Sequence, residues 1–309
     1  MTAPPAQPAA LSGYWLIFAA AVLWGLIGLI SKGILGEGVS ALEIAFWRAL
    51  LGGAVFLVHA GALGRLRLRS AGDGWPLGGF ALVGVSLFFA SLILAIDSGG
   101  ISLAFILLYS APLFVLIAAW LILGEPLTAR KLVLAPLAVL GIALVSGGGG
   151  TGVTVSPASL GWGLLAGLTY SSYYVFGKLI LRRYRPVTIY AWVLPIGALG
   201  LLPFVQFAAK SPLAWLLLAV LAVLSTYLAY LLYYTGLARV EASRAVLVAT
   251  VEPVVALTLA ALLLGERIGP AGLVGAALIL LTAVLASTSS GGGRKLPEDS
   301  PPLDRLGPP

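Results

Sequence analysis

The sequence predicts an all-α membrane protein of ten transmembrane helices, built as two inverted five-helix repeats. Three observations carry that prediction. Hydrophobic residues make up 60% of the chain and charged residues 9%, where a soluble domain carries roughly a quarter charged. Apolar segments of about twenty residues recur along its whole length, as about 30 Å of hydrocarbon requires. The second half also repeats residue types of the first at a fixed offset.

Helices are expected at 13–34, 42–63, 75–97, 101–123, 130–147, 158–182, 187–208, 211–236, 243–264 and 270–288. Residues 1–12 open on the Pro- and Ala-rich run MTAPPAQPAA, which lacks the basic start of a secretory signal. They are expected to be disordered, and the first apolar helix to be retained. Gly and Pro mark the junctions, as in Asp97-Ser98-Gly99-Gly100, the run Gly147 to Gly150, and Ser211-Pro212. Helix interiors rich in Gly, Ala and Ser let backbones approach closely where lipid supplies no hydrophobic drive. Residues 289–309, with GGGRKLPEDSPPLDRLGPP from Gly291 on, read as a disordered cytoplasmic tail.

A net charge of +7 raises the question of nucleic acid. The cations answer it, because they sit in short clusters between the apolar segments. With the N-terminus in the cytoplasm, thirteen of the 18 Lys and Arg fall inside: Arg65, Arg67, Arg69, Arg130, Lys131, Arg182, Arg183, Arg185, Arg239, Arg244, Arg294, Lys295 and Arg305. Lys32, Lys210 and Arg267 fall outside, and Arg48 and Lys178 lie within spans. This positive-inside bias predicts a multi-pass protein of a bacterial inner membrane with both termini cytoplasmic. The expected partners are the lipid bilayer and a small-molecule substrate, with no nucleic acid, and a monomer is the simplest assembly. Cysteine is absent and His59 is the lone histidine, so neither metal nor cofactor is expected. No HExxH or GxSxG motif and no phosphate-cradling loop is present, which argues against an intramembrane enzyme or a primary pump. Nor is there a filter-like ring of charges that would suggest a channel.

Sliding the sequence by 141 residues brings Ser102 onto Ser243, Ala104 onto Ala245, Pro112 onto Pro253, and Leu123-Gly124-Glu125 onto Leu264-Gly265-Glu266. More loosely, Trp47 falls near Trp192 and Lys32 near Lys178. The repeats are therefore drawn as 13–147 and 148–288. Five is odd, so the second copy must lie upside down relative to the first. Inverted repeats are the architecture of secondary transporters, whose opposed halves exchange conformations and open alternately to each side.

Two halves each ending in a Pro-containing helix followed by Leu-Gly-Glu resemble the drug/metabolite transporter superfamily, EamA type. The matching stretches are Ala111-Pro112 with Leu123-Gly124-Glu125-Pro126, and Glu252-Pro253 with Leu264-Gly265-Glu266. Trp24-Gly25 and Phe46-Trp47-Arg48-Ala49 fit as well, so the likeness covers about 13–288. It implies export or exchange of small metabolites across a bacterial inner membrane. The amino-acid exporter branch, aromatic and apolar cargo included, is favoured over a permease for sugar phosphates or other polar metabolites, which would want more cavity cations.

The substrate-binding residues are expected among the polar and aromatic side chains inside the spans: Trp24, Tyr109, Tyr170, Tyr174, Tyr227, Tyr230 and Glu252. Glu252 stands near the middle of a helix, where a charge must face a cavity or a partner. Pro253 beside it frees a carbonyl four residues back. Tyr227, Tyr230 and Tyr234 share one helix face, and Tyr170, Tyr173 and Tyr174 crowd another helix with Ser171 and Ser172. Arg48 and Lys178 are candidate charge partners for substrate, Arg48 alternatively pairing with Glu43 or Glu252. Pro112 and Pro253 are expected as paired hinges. Glu125 and Glu266 are expected to fix loops and helices, His59 to pack, and Trp15, Trp75, Trp162 and Trp215 to form interfacial belts.

Overall fold

The computed structural model describes residues 8–147, 154–264 and 269–288. They form ten spans: α1 (Pro8–Gly36), α2 (Ala41–Ala62), α3 (Ala71–Gly99), α4 (101–123), α5 (Ala129–Gly147), α6 (Pro157–Ile180), α7 (Pro186–Phe204), α8 (Pro212–Leu237), α9 (242–264) and α10 (Pro270–Thr288). All but α6 are long and apolar enough to cross a membrane by length and composition. Segment α6 is less apolar because its middle carries Thr169, Tyr170, Ser171, Ser172, Tyr173 and Tyr174. The first helix begins at Pro8, ahead of the expected residue 13, and α7 stops at Phe204 rather than 208 as Val205 turns extended. The expected tail 289–309, together with Gly265, Glu266 and Arg267, lies outside the described residues.

Two spans are not continuous. Segment α4 consists of Ile101–Leu108, a turn at Tyr109 and Ser110, and Ala111–Ala118. Segment α9 consists of Ala242–Ala249, a turn at Thr250 and Val251, and Glu252–Leu264. The single helices expected over 101–123 and 243–264 are therefore each interrupted. Pro112 and Pro253 cannot donate to the carbonyls of Leu108 and Ala249, and each stands in the first turn of a new half-helix. Both breaks, and the starts of both spans, are 141 residues apart. Wide π-type turns, Leu82–Leu87 in α3 and Val223–Leu228 in α8, keep the same offset. The repeat is thus written into irregularities of the backbone as well as into residue types.

Packing follows the repeat. Segment α5 lies against α10 and α2 against α7, while α3 lies on α6 as α1 lies on α8. Where α5 meets α10, a Cβ on Gly141 would stand 2.9 Å from the Gly275 carbonyl, so only glycine allows the backbones this close.

Loop contacts divide the molecule into two ends. At the basic end, Glu125, just past α4, accepts from the Ala242 and Ser243 amides at 2.7 and 3.1 Å and from the Ser243 hydroxyl. Gly124, at φ 70°, makes the left-handed turn that aims it there. Lys131 pairs with Glu125 at 3.6 Å and Glu241 at 3.1 Å, and Arg244 with Glu241 at 2.7 Å. Asp73, in the first turn of α3, pairs with Arg183 at 2.8 Å and accepts from Tyr184 at 2.5 Å, joining the start of α3 to the α6–α7 loop. Burial and the Asp73 carboxylate push the Tyr184 phenol above its usual range. Arg239 bonds Ser12, and Arg130 bonds the Leu285 carbonyl and the Thr288 hydroxyl, so both described termini lie at this end. At the opposite end Glu43, fully buried, pairs with Lys210 and accepts from the Ala208 amide and the Trp47 indole, each at 3.1 Å. Trp47, Phe207 and Trp215 surround the Lys210 ammonium at 5.3–5.7 Å.

Candidate functional site

The break in α9 makes Glu252 the first residue of its second half-helix. Its carboxyl is half-buried although it sits deep in the bundle. The Tyr109 phenol, from the break in α4, lies beside it. The two broken spans thus bring their irregular turns to one place, next to a carboxyl and a phenol.

Segment α6 supplies the next wall. Tyr174 donates to the Tyr170 hydroxyl at 3.3 Å, and both lie within the field of Glu252. Tyr170 stacks on Phe88 of α3 at 5.2 Å and meets Tyr109 edge-on at 6.4 Å. Opposite, Arg48 of α2 is the cation whose field reaches Glu252. It gives its hydrogen bonds elsewhere: Nε donates to Thr226 Oγ1 at 2.9 Å, and a terminal nitrogen contacts the Ser225 carbonyl at 3.5 Å. Its guanidinium lies over Phe89 at 5.8 Å. The arrangement places one carboxyl and one guanidinium among packed aromatic rings.

Tyr230 of α8 is held between Tyr173 at 5.7 Å and Tyr190 at 4.5 Å, both nearly parallel to it. Trp24 of α1 packs on Tyr230 and Tyr233 at 5.6 and 5.1 Å. The Trp24 indole N–H, the Ser172 hydroxyl and the Tyr233 hydroxyl are buried with no protein partner among the described residues. Polar atoms left this way cost free energy unless something else bonds them.

Trp24, Tyr109, Tyr170, Tyr174, Tyr230 and Glu252 therefore converge. Two expected participants do not join them. Tyr227 turns to α2, where its hydroxyl meets His59 Nδ1 at 2.8 Å and its ring packs on Phe56 at 4.8 Å. Lys178 donates to the Leu237 and Val240 carbonyls at 2.5 Å each. It neutralises the negative end of α8 instead of facing the cleft. Glu43 is taken by Lys210, which leaves Arg48 free of it. Tyr190, Tyr233, Ser225 and Thr226 complete the surroundings and carry no sequence signal beyond ordinary tyrosines and hydroxyls inside spans.

The profile of the EamA-like transporter family matches residues 11–147 and again 158–288. The chain belongs to that family. This family member is a multi-pass membrane transporter with two repeats. An uncharacterized transporter of Archaeoglobus fulgidus is 27% identical over 275 residues, covering 87% of this chain and 94% of the relative. The uncharacterized inner membrane transporter YicL of Salmonella typhimurium is 26% identical, covering 89% and 94%. The uncharacterized transporter YwfM of Bacillus subtilis is 25% identical, covering 88% and 93%. A solved crystal structure superposes with a TM-score of 0.78 at 20% identity, over 89% of this chain and 96% of that one. That last likeness concerns the fold alone.

Proposed function

We propose that this transporter carries amino acids, aromatic and apolar ones included, by alternating access through a cleft between its two repeats. The observation that carries the proposal is that the breaks of α4 and α9 bring Glu252 and Tyr109 together beside the packed rings of Tyr170, Phe88 and Phe89, over the last of which lies the Arg48 guanidinium. A zwitterion would place its ammonium at the Glu252 carboxyl and the Tyr109 and Tyr170 hydroxyls, and its carboxylate toward Arg48. Tyr230, Trp24 and Phe88 would take an apolar side chain, with the unpartnered indole and hydroxyls bonding whatever polar atoms it carries. Broken helices at the bundle centre are the usual way transporters present backbone charge to such a solute.

Inverted repeats give alternating access two opposed halves that can exchange conformations. In support, α4 ends at Glu125, where α9 begins, so the two equivalent spans run in opposite directions. The clustering of Arg65, Arg69, Arg130, Lys131 and Arg183 at one end favours a bacterial inner membrane with that end, and both termini, in the cytoplasm. A sugar-phosphate permease is disfavoured, because Lys178 and Lys210 are engaged away from the cleft and Arg48 alone remains to meet an anion.

Counterflow of labelled amino acids into proteoliposomes tests the proposal. Saturable exchange of L-phenylalanine or L-leucine is expected. No exchange across a panel of twenty amino acids, with the protein folded, would sink it. Flux that grows linearly with solute and shows no counterflow would point to a channel instead.

A further inference from the structure

The two wide turns do the same packing job in the two repeats and differ in one hydroxyl. In α3 the turn sets Val85 against Gly197 of α7, where an added Cβ would stand 2.6 Å from the valine Cγ1. In α8 it sets Thr226 against Gly52 of α2, where an added Cβ would stand 2.7 Å from the threonine methyl. Val85 and Thr226 are 141 residues apart, and Gly52 and Gly197 are 145 apart, the offset that also relates Trp47 to Trp192. One helical turn before each glycine comes a second equivalent pair, Arg48 in α2 and Val193 in α7. Between α3 and α7 these equivalent positions thus hold Val85 and Val193, both fully buried, where between α8 and α2 they hold Thr226 and Arg48.

The threonine hydroxyl is oriented for that partner. Its proton goes to the Leu221 carbonyl at 3.3 Å, which leaves a lone pair for Arg48 Nε at 2.9 Å. The Ser225 carbonyl takes a terminal nitrogen of the same guanidinium at 3.5 Å. Two acceptors therefore hold one edge of the fork, with the guanidinium over Phe89. Valine already fills the equivalent place in α3, so packing does not require the hydroxyl.

We infer that Thr226 is a positioning residue that aims Arg48 at the carboxylate of the transported solute, and so sets the preference for acids over the matching amines. This rests on the amino-acid reading above. The test compares L-phenylalanine with phenethylamine, which lacks only the carboxylate. With Thr226→Val, the KM for L-phenylalanine counterflow is expected to rise about tenfold, the order expected on losing a hydrogen bond to a charged group. The inhibition constant of phenethylamine and the maximal rate should stay within about twofold, and Thr226→Ser should behave as the native protein does. In a substrate-independent arm, modification of Arg48 by phenylglyoxal, followed by peptide mass spectrometry, should run several-fold faster in Thr226→Val than in Thr226→Ser. Equal weakening of acid and amine, or unchanged Arg48 reactivity, overturns the inference while leaving the amino-acid reading in place. A native protein that exchanges no L-phenylalanine or other amino acid overturns that reading, and this inference with it.

Discussion

The breaks in α4 and α9 are the same structure made from different residues. Position for position, Tyr109-Ser110-Ala111-Pro112 answers Thr250-Val251-Glu252-Pro253. Proline, the shared member, supplies the interruption, because a missing N–H ends one helical segment whatever surrounds it. The members that differ supply the chemistry. Segment α9 contributes the acid and α4 the phenol beside it. Backbone symmetry therefore gives the molecule two like halves, while the side chains at the two breaks make them different.

Removing the acid should break that comparison most severely. Glu252→Ala makes α9 resemble α4, whose equivalent residue is Ala111. Amino-acid counterflow is expected to fall about a hundredfold, since a charge-assisted contact contributes up to about 3 kcal/mol. Activity near the native level would mean the acid is not part of the site. Next comes Glu125→Ala, which uncaps the start of α9 and leaves Lys131 buried beside Glu241. Deleting one partner of a buried ion pair costs about 3–5 kcal/mol, to be read as a large loss of thermal stability in detergent. The KM of the surviving folded fraction should not change.

A smaller effect is expected from Tyr174→Phe, which deletes the hydroxyl bonded to Tyr170 but keeps the ring. Loss of about 1 kcal/mol corresponds to about a fivefold rise in KM, and an unchanged KM would place the substrate on the α8 side of the cleft. Smallest is Lys178→Met. Its ammonium bonds carbonyls at the end of α8, so KM should shift by less than about twofold while stability drops by about 1 kcal/mol. A marked rise in KM would restore Lys178 to the site.

The spans were legible because hydrocarbon imposes length and composition on each helix independently of its neighbours. The repeat was legible from a handful of matched residues, and the same spacing reappears in helix starts, breaks and wide turns that no single residue announces. Glu252, Tyr109, Tyr170 and Tyr174 could be picked out because a polar group in mid-span needs a partner or a cavity. What pattern could not give was direction. Tyr227 and Tyr230 share a helix face by spacing, yet His59 draws the first to α2 while Tyr173 and Tyr190 stack on the second. Lys178 looked available because the carbonyls that bind it end another helix 59 and 62 residues onward. The prolines promised bends; that the turns beside them would interrupt the helices depended on packing against α6, where Gly167 lets the Leu107 and Leu108 carbonyls approach.

Segment α6 bears on how the protein is made. Its Tyr- and Ser-rich middle gives it the weakest independent tendency to leave the translocon for lipid, yet its tyrosine rings pack on α3, α4 and α8 in the finished bundle. Stable insertion of α6 must then await the earlier helices, which offer it polar company inside the bilayer. Assembly of the second half is in this way conditional on the first, and a chain truncated before α3 and α4 should release α6 to the quality-control machinery of the membrane.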